Sequence, residues 1–118
     1  MSINSKIKGK AGELEFSRLC RSEGYDTRRT AQYCGNTSEA ADVVGLPYIH
    51  VEVKRVERLN INEAIRQSIH DADGKAIPIV AHRRNHDEWL ITMRATDWFT
   101  LYKEFEAGQS LNEGSNNT

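Results

Sequence analysis

The sequence predicts an α/β sandwich with a mixed sheet, and three observations predict it. From Tyr48 to Arg55 apolar and polar residues alternate with the period of a half-buried strand, setting Ile49, Val51 and Val53 on one face and His50, Glu52 and Lys54 on the other. Ile61, Ala64, Ile65, Ser68, Ile69 and Ala72 recur at helical spacing behind Asn60-Ile61-Asn62-Glu63, which has the form of a capping box. The order helix, three strands, helix, further strands and a last helix sets helices against a sheet in which parallel and antiparallel neighbours mix.

The first helix is predicted from about Ser5 to Ser22, with Ile7, Ala11, Leu14, Leu19 and Cys20 as a ragged apolar face and Gly24 as its stop. Gly9 and Gly12 weaken its first turns. Glu13 lies at the border of that face, within reach of a site at the sheet's edge. Tyr25 to Thr30 is a candidate first strand carrying Arg28 and Arg29, and Gln32 to Ala40, with Cys34, is polar enough to be a loop. Asp42 opens the apolar pair Val43-Val44, after which Gly45-Leu46-Pro47 turns the chain back into the Tyr48–Arg55 strand as a hairpin.

The second helix ends before Gly74. The apolar run Ala76 to Ala81 suits a buried strand, provided Pro78 starts it or lies where a missing N–H does no harm. Trp89 to Met93 reads as its hairpin partner across the turn at Asn85-His86-Asp87. Thr96-Asp97 opens a last helix whose Trp98, Leu101, Tyr102 and Phe105 stand at core-facing spacing. Together with Phe99 they are more aromatic surface than one helix of a small domain usually buries, so part of this stripe is a candidate partner-facing surface. Beyond Gly108 the repeated Gly, Ser and Asn predict a disordered tail, 108–118, which leaves one domain over 1–107.

Composition narrows the function classes. With 38% apolar and 28% charged residues in 118, this is the make-up of an ordinary soluble domain, and no apolar run approaches the roughly 20 residues that span a bilayer. Met1 to Lys10 is polar and basic, unlike a secretory signal, and two cysteines without metal-ligand spacing are expected to be reduced thiols. A cytoplasmic location follows. The net charge of −1 and a pI near 6.4 leave nucleic-acid contact to local clusters: Lys6, Lys8 and Lys10; Arg28 and Arg29; Lys54, Arg55 and Arg58; His82, Arg83 and Arg84. The four histidines show no i, i+4 zinc pattern and read as structural or surface residues.

The hairpin carries the chemistry. Glu52 and Lys54 share a strand face, and the turn brings Asp42 towards Glu52. Paired carboxylates repel unless a proton or a cation lies between them. Hard oxygen ligands with positions left for water and phosphate suit Mg²⁺, and a neighbouring ammonium suits a water or a phosphate oxygen. These are the parts of metal-assisted phosphodiester hydrolysis. Glu-x-Lys alone describes many solvated strands; Asp42 at hairpin spacing is what favours a metal centre.

Taken in order, Lys8-Gly9 with Glu13, Arg28-Arg29, Ala41-Asp42-Val43-Val44, Val51-Glu52-Val53-Lys54, Gln67 and Ile77-Pro78-Ile79-Val80 resemble the PD-(D/E)xK nucleases over roughly the first 90 residues. The nearest likeness is to archaeal Holliday junction resolvases and small phage and prophage nucleases of that kind. The resemblance implies a restriction-endonuclease-like three-layer core with a mixed sheet flanked by helices. It implies that Glu13, Asp42 and Glu52 bind Mg²⁺ or Mn²⁺, that Lys54 positions the attacking water and that Gln67 braces the site. It also implies an endonuclease acting on branched DNA as a homodimer, in a bacterial or phage-infected cell. Lys8, Lys10, Arg28, Arg29, Arg55, Arg83 and Arg84 are the DNA-binding candidates. Ala41 replaces the usual proline before the aspartate, and the loop Gln32 to Ala40 does not match closely. A less selective flap, fork or nicking nuclease and a non-catalytic DNA-binding accessory protein are the alternatives.

Overall fold

The computed structural model describes residues 2–30 and 41–116. Three helices and five strands follow in the order α1 (Ser2–Ser22), β1 (Arg28–Arg29), β2 (Val43–Val44), β3 (Ile49–Arg55), α2 (Ile61–Ala72), β4 (Ile77–Arg83), β5 (Leu90–Met93) and α3 (Ala95–Asn116). They build an α/β fold around one mixed sheet whose strand order is β1-β2-β3-β4-β5. β1, β2 and β3 are antiparallel neighbours, β3 and β4 run parallel across the α2 crossover, and β5 returns antiparallel to β4. A parallel pair needs such a crossover, because no tight turn can join two strands that point the same way.

The alternation in β3 decides which layer each residue meets. Val51 and Val53 join Phe16, Cys20, Val43, Ile79 and Ala81 in the apolar core, and Phe16 lies 5.1 Å from Trp89, centroid to centroid. This is the face that α1 covers. The opposite face carries His50, Glu52 and Lys54 and is covered by α2, whose buried positions Ala64, Ser68 and Ala72 are all small. A stripe of small residues at i, i+4 and i+8 lets α2 approach closely, and the Ser68 hydroxyl donates to the Ile79 carbonyl at 2.9 Å. Asn60 caps α2 as expected, its Oδ1 accepting from the Glu63 amide at 3.1 Å, and Asp73 closes it in the left-handed conformation.

Two positions depend on backbone freedom or its loss. Gly45 has φ +112, and a Cβ there would strike the carbonyl of Asp26 and the backbone of Thr27, so the β2–β3 turn requires glycine. Pro78 sits inside β4, fully buried. The Ile77 amide donates towards β3, to the Tyr48 carbonyl at 2.9 Å, so the next nitrogen along points away from β3. There β5 has already run out, since Met93 pairs with Ile79. The missing N–H leaves no acceptor unserved.

α3 corrects one expectation and extends another. Trp98, Leu101, Tyr102 and Phe105 are 47%, 43%, 41% and 60% exposed, so the stripe does not close the core as its spacing suggested. α1 and α2 already cover the two faces of the sheet, and among the described residues α3 makes only sparse contacts with the rest of the chain. Its aromatics stack on one another instead, Trp98 on Tyr102 at 5.1 Å and 9°. The helix also runs past Gly108, where its end was expected, to Asn116. Among the described residues no helix is long and apolar enough to cross a membrane.

Candidate active site

Asp42, Glu52 and Lys54 come together as the hairpin predicts. Val43 pairs with Val51, which sets Asp42 opposite Glu52, and the Asp42 amide donates to the Val51 carbonyl at 2.8 Å. The Val53 amide in turn donates to Asp42 Oδ2 at 2.8 Å. The aspartate's rotamer is thus fixed by the backbone of the strand that carries the glutamate and the lysine. Glu52 is 2% exposed, and its Oε1 lies 3.3 Å from His50 Nε2. Lys54, next on the same face, is half-buried.

Glu13 arrives from α1. Gly12 allows it: a Cβ there would lie 2.5 Å from Arg55 Cβ, so the first helix reaches β3 only because that position has no side chain. Glu13 is 8% exposed and forms an ion pair with Arg29 at 2.7 Å. It is not the solvated glutamate that its place at the border of the helix face allows. Gln67 stands on the exposed flank of α2. Glu13, Asp42, Glu52, Lys54 and Gln67 line a single cavity of about 480 Å³.

The electrostatics of this cavity fit a cation. Burial raises the Glu13 carboxyl above its ordinary value and the Asp42 charge adds to the rise, while Arg29 and Lys54 oppose it. Burial likewise pushes Glu52 up to about 7, against the His50 hydrogen bond and with the help of Asp42. Glu13 Oε1 is buried, and the only charge that meets it among the described residues is Arg29 Nε at 2.7 Å. Three carboxyls gathered at one wall, two of them raised above their ordinary value by burial and by the charge of the third, Asp42, are what a divalent ion would relieve. The donor set is all oxygen, which suits Mg²⁺ or Mn²⁺.

The basic candidates divide. Lys10 and Arg28 are exposed, and Lys8 lies in the first half of α1. Arg29 pairs with Glu13, Arg83 with Glu15, Arg55 with Glu15 at 3.6 Å and Arg84 with Asp87 at 3.0 Å. The Trp89 indole N–H also donates to Glu15, at 3.0 Å. The loop Gln32 to Ala40, with Cys34, lies outside the described residues. His50 was not singled out for the site, although it is 7% exposed and touches Glu52. The signal was present in its place two residues before Glu52, on the same strand face.

No family model matches the chain, and neither does any curated protein. Among solved structures it is similar to Hjc, a Holliday junction resolvase from the archaeal hyperthermophile Archaeoglobus fulgidus, at a TM-score of 0.55. The match has 22% identity and covers 73% of this chain and 72% of that one. The likeness to the archaeal resolvases drawn from the motifs is therefore present in the fold.

Proposed function

We propose that this chain is a metal-dependent endodeoxyribonuclease that hydrolyses phosphodiester bonds in branched DNA. The observation that carries the proposal is the convergence of Glu13, Asp42, Glu52 and Lys54 on one cavity, in a fold shared with a resolvase. A single domain over residues 1–107 would hold the chemistry, in the cytoplasm of a bacterial or phage-infected cell. Glu13, Asp42 and Glu52 would hold Mg²⁺ or Mn²⁺, which when bound supplies charge stabilisation at the phosphate and a more acidic water. The Lys54 ammonium orients the attacking water and meets the charge developing on a phosphate oxygen. Gln67, at the cavity rim, braces that water or the phosphate through its amide.

DNA recognition on this reading is by backbone and shape. With a net charge of −1, attraction to phosphates rests on local groups such as Lys8, Lys10, Arg28, Arg55, Arg83 and Arg84. Incubation with labelled linear, flap and four-way substrates in Mg²⁺ or EDTA tests it. Paired nicks in the four-way substrate, absent in EDTA, are expected. Equal cutting of linear and flap DNA would reassign the chain to a less selective nuclease, and binding without cutting in any divalent ion would leave an accessory role.

Resolving a four-way junction takes two symmetric nicks, so the active species on this reading is a homodimer. The exposed stripe Trp98, Leu101, Tyr102 and Phe105 on a helix with few contacts of its own is the surface that a second copy would cover. Sedimentation equilibrium is expected to give twice 13.4 kDa at micromolar concentration, and Tyr102→Glu with Phe105→Glu to return the monomer mass. A wild-type mass of 13.4 kDa, with or without junction DNA, would exclude paired cutting by a dimer.

A further inference from the structure

We propose that His50, Glu52 and Asp71 form a second metal site, one that takes a divalent transition ion in preference to Mg²⁺. His50 and Glu52 project two residues apart from the α2-facing side of β3, and Asp71 meets them from the last turn of α2. One donor atom from each of the three lies within 4.8 Å of the other two. His50 Nε2 and Glu52 Oε1 are 3.3 Å apart, close to the roughly 3.4 Å edge that two ligands span on a tetrahedral ion with bonds near 2.1 Å. The Asp71 carboxylate, within 4.8 Å of both, closes the third position by moving at most about 1.4 Å to reach that same edge length. The imidazole would bind with its proton on Nδ1, giving up the hydrogen bond that Nε2 now shares with Glu52.

Three further observations favour a ligand here over a simple hydrogen-bonded pair. Among the described residues the half-buried Asp71 carboxylate accepts no hydrogen bond and pairs with no cation, although it stands beside the buried His50. A cavity of about 370 Å³, bordered by Val44, Leu46, Ile49, His50, Asp71 and Lys75, gives an ion a way in. This cavity does not include Glu13, Asp42, Lys54 or Gln67, so the approach is separate from that of the candidate active site. Glu52 stands between the two, with one carboxylate oxygen on the His50 side and Asp42 across the hairpin. A mixed imidazole and carboxylate set suits Zn²⁺, Co²⁺ or Mn²⁺, whereas Mg²⁺ prefers oxygen alone.

The test uses Co²⁺ as the probe, read by its visible d–d absorption in the full-length protein with Mg²⁺ in large excess. Wild type is expected to develop an absorption typical of nitrogen ligation at about one Co²⁺ per chain. His50→Gln and Asp71→Asn are each expected to weaken it about tenfold or more, and Glu13→Gln to leave it unchanged. Circular dichroism checks folding, and Asp71→Asn, at the half-buried end of α2, decides the matter if His50→Gln fails to fold. An absorption unaffected by either change, abolished by Glu13→Gln, or suppressed by Mg²⁺ would overturn the proposal. The readout needs no cleavage, so its failure is separate from failure of the nuclease reading.

Discussion

Glu52→Gln is expected to lower the single-turnover cleavage rate about a thousandfold or more, the scale on which removal of one charge-stabilising group acts. Junction binding measured in EDTA should hold or tighten, because a negative charge near phosphate has been removed. Asp42→Asn should behave alike, with the asparagine carbonyl still able to accept from Val53. Either variant cutting at the wild-type rate in Mg²⁺ would place the active site elsewhere. Glu52→Gln also has a signature in metal-free protein. The folded carboxyl, near 7 because of burial and Asp42, sits above its unfolded value of about 4.3. Its contribution to stability is therefore fully present below the unfolded value and is lost as pH rises through about 7. Calorimetry between pH 4.5 and 8 should show the wild-type unfolding temperature falling relative to that of Glu52→Gln, and saturating Mg²⁺ should reduce the gap.

Lys54→Ala is expected to slow the chemical step about 10²- to 10⁴-fold, the range for loss of a group that positions or activates the nucleophile. Mg²⁺ affinity, read by calorimetric titration, should change little by comparison. The lysine stands beside Glu52 on the strand face, so it has a second possible role as that carboxylate's charge partner. Full recovery of the rate at high Mn²⁺ would assign it that role and remove it from catalysis.

β3 and α2 were legible because each carries its period without interruption. Ile49 to Lys54 has one residue type per face, and the residues from Asn60 to Ala72 hold both a cap and a stripe. The same alternation foretold that Glu52 and Lys54 share a face, and Gly45 that Asp42 would return to them. The burial of Glu13 was less legible. It depends on Arg29, sixteen residues away, and on Gly12, whose role as a point of close approach looks in a sequence like a weak helical position. The direction of α3 could not be read at all. Trp98, Tyr102 and Phe105 have the spacing of a buried stripe whether a core, a second copy or one another completes their packing. Asp71 was invisible for a related reason: a polar residue near a helix end gives no sign of which strand its carboxylate will face.

The detachment of α3 separates two things that most small enzymes keep entangled. In a closely packed domain a change at an interface is transmitted through the core, and drift in partner choice is restrained by the needs of the active site. Here the aromatic ladder rests on itself, and the carboxylates are anchored through β2, β3 and the first helix. Substitutions along α3 are thus free to accumulate without disturbing the hairpin. Over evolutionary time the chain can exchange one assembly for another while its chemistry stays fixed.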